Sequence, residues 1–171
     1  MNKILFLLVF LGFTLSGATL AANDDRVRQA NLPQTSASEL TQLASDSDWE
    51  VRHAVAMNRK TPTQTLHKLA SDPNQDVRIA VCTNLSTTQK TLAVLAKDKS
   101  EQVRSVVARF EYVSAEVLDS MANDTSAEIR MEVARNWNTG RKTLEKLSKD
   151  EFEEVSQMAL ISISKLDQEK E

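Results

Sequence analysis

The amino-acid sequence predicts an all-α superhelix, a solenoid of about five two-helix repeats of 26 residues. Three observations carry that prediction. Asp46, Asp72, Asp98, Asp124 and Asp150 stand 26 residues apart with no insertion between them. Apolar columns keep the same register: Leu40, Leu66, Leu92, Leu118 and Leu144, then Leu43, Leu69, Leu95, Met121 and Leu147, then Val51, Val77, Val103, Ile129 and Val155. Glycine and proline are scarce, three of each, which favours helix over a turn-rich β fold. A fixed period over consecutive units marks a repeat array. One such unit carries too few large apolar side chains to fold alone, so neighbours must share a core.

In chain order, residues 1–22 read as a signal peptide. Lys3 precedes an apolar run from Ile4 to Leu15, and small residues follow to Ala22. That is a basic start, a hydrophobic core and a cleavage zone after Ala21 or Ala22. The expected destination is export, to the periplasm in a Gram-negative cell and otherwise to the medium. The run is short for a membrane span, so no integral span is expected after cleavage. Residues 23–38 read as an N-terminal cap or a leader. Val27-Arg28-Gln29-Ala30-Asn31 echoes Val51-Arg52-His53-Ala54 and Asn58 in a unit two residues shorter. Residues 39–166 form the solenoid, and 167–171 a charged tail.

Each unit divides into a helix A and a helix B. Thr61-Pro62 reads as an N-cap followed by the first helical residue of helix A. The same site is Thr87-Thr88 and Thr139-Gly140 in later units. Leu66 and Leu69 share a face, and the helix stops near Ser71-Asp72-Pro73. Helix B runs roughly from Asn74 to Asn84. Val77, Ala80, Val81 and Asn84 follow the i, i+3, i+4, i+7 spacing of one buried stripe. Asn58, Asn84 and Asn136 stand where a helix end takes a left-handed polar cap. In the last unit Arg gives way to Ser156, and the helix continues through Ile161, Ile163 and Leu166.

Leu66-x-x-Leu69-Ala70-x-Asp72-Pro73, Val77-Arg78-x-Ala80-Val81, Asn84 and Thr61-Pro62 together resemble the leucine-rich repeat variant family, within the HEAT-like α-solenoids. The resemblance covers about Ser38 to Ser164. It implies a right-handed superhelix in which one helix of each unit is a short 3₁₀ segment, and a scaffold that binds proteins. Some members carry a cysteine-bound iron–sulfur cluster ahead of the repeats. This chain has the single cysteine Cys82, so neither that cluster nor an intramolecular disulfide is expected.

Composition narrows the function. The chain has 24 acidic and 21 basic residues, a net charge of −3, which disfavours nucleic acid. The Asp and Arg columns, Asp46/Arg52 through Asp124/Arg130, repeat once per unit. A catalytic pair is normally unique, so the ladder reads as scaffold: Asp capping helix B and Arg reaching a neighbouring Asp. His53 and His67 lack a second ligand at metal spacing. Cys82 shares the column of Ala56, Ala108 and Ala134 and reads as a buried, inert thiol. No nucleophile arrangement, phosphate loop or metal motif stands out. The expectation is a non-catalytic chain without cofactor.

The candidate binding residues are those that vary. On helix B the outward positions hold Trp49, His53, Met57, Ile79, Thr83, Arg109, Met131 and Arg135. They are expected to form a ridge that binds an as yet unidentified protein partner. Phe110 and Tyr112 replace the usual Asn-x-x-Thr ending of the third unit, and Trp137 follows one unit later. These aromatics either anchor a partner or repack turns that have lost their Asn. Glu132 interrupts an apolar column and is expected to form a salt bridge. The alternatives are a glycan or lipid of the cell envelope, with Trp49, Tyr112 and Trp137 as stacking surfaces, and an enzyme on the same scaffold. The oligomeric state stays open.

Overall fold

A computed structural model describes residues 24–168. The proposed signal peptide, residues 1–22, and the last residues of the tail lie outside that range. The described residues hold α-helices and turns and no strand. Helix α1 spans residues 24–31. Five pairs follow: α2 (Ala37–Leu43) with α3 (Trp49–Met57), α4 (Thr63–Leu69) with α5 (Gln75–Thr83), α6 (Gln89–Leu95) with α7 (Glu101–Arg109), α8 (Ala115–Met121) with α9 (Ala127–Arg135), and α10 (Arg141–Leu147) with α11 (Glu153–Gln168). Even-numbered helices are helix A and odd-numbered ones helix B. Both are α-helical in every pair, the seven-residue helices A included, so neither is the short 3₁₀ segment that the resemblance implies for one helix of each unit.

The pairs stack as a solenoid. Each helix B packs against the next: α3 on α5, α5 on α7, α7 on α9 and α9 on α11. One core runs the length of the stack. Leu40, Leu66, Leu92, Leu118 and Leu144 are fully or almost fully buried in it, as are Val51, Val77, Val103, Ile129 and Val155. The small-residue column Ala56, Cys82, Ala108 and Ala134 is wholly inaccessible, because there neighbouring helices B meet most closely. Burial drives the Cys82 thiol up to about 12. A thiol held neutral and out of contact with water should react with a disulfide reagent only on unfolding. Native protein should give no colour with such a reagent over hours and one thiol per chain in urea; rapid native labelling would refute this packing.

Polar ladders fasten the stack. The Arg–Asp ladder joins successive units: Arg52 to Asp72, Arg78 to Asp98, Arg104 to Asp124 and Arg130 to Asp150, each Nε to Oδ2 at 2.6–2.7 Å. Nη2 completes a two-pronged bond to Oδ1. Nη1 donates to the backbone carbonyl of its own unit's Asp. The Asp is not the helix cap that its position suggests. Its Oδ1 accepts the N–H two residues on. That next residue, Asp48, Asn74, Ser100 or Ser126, occupies the N-cap position of helix B.

The asparagines also differ from expectation. Asn58, Asn84 and Asn136 end helix B in extended, not left-handed, backbone, with φ from −75 to −70°. Their amides reach back across the joint. Asn84 donates to the carbonyls of Ala56 and Asn58, and Asn136 to those of Ala108 and Phe110. A left-handed cap would turn the amide away from those buried acceptors, which otherwise have no intrahelical donor. Thr61 is likewise no N-cap of helix A. Its hydroxyl donates to the carbonyl of Val55, as Thr87 and Thr139 do to Val81 and Val133. The next residue takes the cap position: Pro62, Thr88 or Gly140.

The array begins earlier than its first full unit, and in an unshortened register. Arg26 lies 3.4 Å from Asp46, the same span of 20 residues as every later rung. Asn58 donates to the carbonyls of Ala30 and Leu32. Thr35 donates to Gln29 as Thr61 does to Val55. Helix α1 is therefore a helix B in the 26-residue register, and Arg26, not Arg28, matches Arg52. At the other end Ser156 holds the Arg position and offers no guanidinium to extend the ladder. Ser162 replaces Asn and donates to Ala134. Helix α11 continues through Asp167, which pairs with Arg141, so the helix extends past the boundary expected for the tail.

Candidate protein-binding edge

Two helix-B columns that look alike in sequence differ in space. His53, Ile79, Ser105 and Met131 are half-buried, and Ile79 and Met131 pack against the core. They fill the seam between neighbouring helices B and do not form a ridge. Met57, Thr83, Arg109 and Arg135, four residues later, are exposed. Other variable positions are occupied by the scaffold. Ser100 donates to Gln75 and Ser126 to Glu101 of the unit before. Thr83 donates to the carbonyl of Ala80 in its own helix. At the first unit Trp49 is 41% exposed and meets His53 edge-on, ring centroids 6.2 Å apart.

The exposed apolar side chains gather instead on the edge made by the C-terminal ends of helices B and the turns that follow. Met57 closes α3 and is 51% exposed; Leu85, Tyr112 and Trp137 sit in successive turns at 59%, 57% and 71%. Leu85, absent from the sequence-derived candidates, occupies the same turn position as Trp137. Phe110 is half-buried against the core and meets Tyr112 edge-on at 5.7 Å.

This edge changes character at the third unit. Phe110 stands where Asn58, Asn84 and Asn136 donate across the joint, so the carbonyls of Cys82 and Asn84 lack the side-chain amide that other joints supply. Val113 stands where threonine holds the helix end. Part of the loss is made good locally. Gln89 donates to the carbonyl of Tyr112 and accepts from the N–H of Ser114. Asn138 donates to the carbonyls of Glu111 and Val113.

Beside these turns, between α7 and α9, lies an open hollow of about 370 Å³. It is lined by Arg109, Glu111, Glu132, Arg135, Asn136 and Trp137. The structure thus joins three sequence-derived candidates, Arg109, Arg135 and Trp137, and leaves Trp49, His53 and Met57 apart on α3. Glu132 is buried, and both its oxygens accept from Nη1 of Arg135, at 3.2 and 3.3 Å. The expected salt bridge is present, with its partner one turn away on the same helix. Arg109 makes no hydrogen bond or ion pair among the described residues. Asn136 has its polar atoms committed, the amide to Ala108 and Phe110 and Oδ1 to the N–H of Asn138. A second hollow of about 220 Å³ on the other side of Trp137 is lined by Ser162, Lys165 and Leu166 of α11. Glu111 was missed as a candidate because nothing in its column marks it. Glu132 was marked by its break in an apolar column.

Among the described residues no group of His, Cys, Asp and Glu is arranged to hold a metal ion, and no helix is long and apolar enough to cross a membrane.

The fold and this edge define a helical-repeat protein, an α-solenoid whose varied side chains are displayed on a uniform frame. The chain shares the fold of a solved leucine-rich repeat variant, described as having a novel repetitive protein structural motif: the TM-score is 0.62 over 76% of this chain, at 21% identity. It spans 52% of that structure, about half its length. No family model matches the sequence, and no curated protein matches it.

Proposed function

We propose that this chain is an exported, non-catalytic scaffold that binds a protein partner along the edge formed by Met57, Leu85, Tyr112 and Trp137. The observation that carries the reading is Trp137, at 71% the most exposed large apolar side chain among the described residues, beside a hollow with charged walls. Exposed aromatics beside arginine are the usual anchors of protein interfaces. A helical-repeat frame suits the role, since its period spaces such anchors along an extended surface. The apolar run from Ile4 to Leu15 after Lys3 supports export. A glycan would also stack on Trp137, but Leu85 and Met57 offer a sugar no polar contact, which favours protein.

The test is affinity capture from the native cell envelope with tagged chain. Trp137→Ala with Leu85→Ser should keep the helical circular dichroism, because both side chains are exposed, and should lose the captured protein. Trp49→Ala should retain it. Capture by the Trp137/Leu85 double variant equal to that of the parent would remove the edge as the site. The intact mass of the recovered chain reads export separately: a start at Ala22 or Asn23 agrees with it, and a chain retaining Met1 does not.

A further inference from the structure

The hollow between α7 and α9 contains more hydrogen-bonding capacity of one kind than the fold uses. Its acceptors are mostly engaged. Glu132 is buried and neutralised by Arg135, and Oδ1 of Asn136 takes the N–H of Asn138. Its donors are not. Arg109 has its whole guanidinium unspent, and Arg135 uses only Nη1, leaving Nε and Nη2. Both arginines stand at the same position of adjacent helices B, facing one hollow. At that position the first two units carry Met57 and Thr83, so the paired guanidinium groups are peculiar to this joint. Helix ends account for part of the placement, since cations are favoured near helix C-termini. The helix ends of α3 and α5, however, do without them.

We propose that this hollow receives a carboxylate of the partner, carried on an extended peptide segment next to an apolar side chain that lies against Trp137. The inference rests on the reading of this edge as a protein-binding site and names the chemistry that it selects. The planar guanidinium fork matches a carboxylate in two parallel hydrogen bonds. A cationic partner group would meet two arginines. A phosphate dianion would approach Glu111 on the rim and Glu132 in the wall with twice the charge. Glu132 already neutralises Arg135, so a single negative charge meets the guanidinium that has no partner among the described residues, that of Arg109, while the exposed Glu111 carboxylate stays on the rim. The exposed indole then supplies the apolar contact that an exposed ion pair alone would lack.

The probes are small and the reporter is internal. Trp49→Phe leaves Trp137 as the sole tryptophan, so its emission reads the hollow directly. That variant is titrated with N-acetyl-leucine, with N-acetyl-leucinamide, and with N-acetyl-aspartyl-leucinamide. For ligands of this size, saturable binding of the carboxylates is expected on the order of millimolar, and the neutral amide should bind at least fivefold more weakly. Arg109→Met, at an exposed site, should keep the circular dichroism spectrum and weaken carboxylate binding at least fivefold. Arg109→Lys should recover part of the loss. A preference for N-acetyl-leucine assigns the carboxylate to a chain terminus, and a preference for the aspartyl probe assigns it to a side chain; both support the proposal. Equal binding of the amide, or of the Arg109→Met variant, overturns it. Capture that needs Trp137 and Leu85 but not Arg109 would leave the edge standing and remove the carboxylate alone.

Discussion

Replacing Arg78 by alanine is expected to lower the stability of the array by about 3–5 kcal/mol, the usual cost of removing one partner of a buried ion pair. Arg78 holds Asp98 with Nε at 2.7 Å and Nη2 at 3.0 Å, and the carbonyl of Asp72 with Nη1 at 2.8 Å. Both side chains of the pair are under a tenth exposed. Alanine leaves a buried carboxylate with the N–H of Ser100 as its remaining partner, and removes the donor from the carbonyls of Asp72 and Pro73. The pH dependence has a definite sign. Burial pushes the Asp98 carboxyl up, and the hydrogen bonds and charge of Arg78 outweigh it, so it titrates below the ordinary carboxylate range. Its contribution is present above the unfolded value of about 3.9 and is lost as pH falls through the folded value. Asp124 and Asp150 are lowered in the same direction. Urea unfolding at pH 7 and pH 3 should therefore show a large gap between parent and variant at the first and a smaller one at the second. A gap under about 1 kcal/mol at pH 7, the range of exposed pairs, would mean that the ladder is surface decoration.

The second large effect is Leu92→Ala, expected to cost about 2–5 kcal/mol for the lost burial and the cavity left behind. Leu92 is fully buried in α6, in the middle of the stack. Because stability in such arrays is shared between neighbours, the loss should not stay local. Trp49 and Trp137 lie on either side of the substitution and report separately when each is the sole tryptophan. Both emissions should shift to lower urea together with the helical signal. A midpoint equal to that of the parent would show that this column is not the core.

The period, the buried columns and the Arg–Asp rungs were legible because each repeats a chemical type at a fixed spacing. What was not legible is what each polar residue binds. Asn84 and Thr61 look like helix caps because the nearest backbone in sequence lies within reach. For Asn84 stacking brings Ala56 of the preceding unit closer, and for Thr61 the end of its own unit's helix B, at Val55, takes the hydroxyl. Helix α1 was misplaced by two residues because Val27-Arg28 imitates Val51-Arg52, whereas Arg26 occupies the rung. The exposure of helix B was misread for a related reason. Variation marks Ile79 and Met131 as unlike scaffold, but a seam between helices tolerates different side chains that fill it. Exposure is set by how closely neighbouring helices B stack, which sequence spacing does not encode, and the Leu85 and Trp137 positions in the turns stay outside that seam.

The break at the third unit bears on how neighbouring units are coupled. At most joints an Asn amide crosses from one unit to the next, and along helices A a polar contact such as Thr41 to Thr65 or Asp119 to Thr143 does the same. Around the third unit the two kinds of tie lapse at different joints. Between α5 and α7 Phe110 leaves out the amide, but His67 still meets Thr91 and Gln89 still reaches Tyr112 and Ser114. Between α6 and α8 the described residues show no polar helix-A contact, but Asn136 still ties α9 to α7, and the Arg78 and Arg104 rungs persist. Each joint beside the third unit thus keeps its rung and further polar ties, so the coupling between neighbours runs unbroken through the place where the side chains change. A partner lying from Leu85 across Tyr112 to Trp137 would span three units, and its binding energy would add to the stability of all of them. Occupancy of that edge would therefore be read in the unfolding of the whole array, not of one turn.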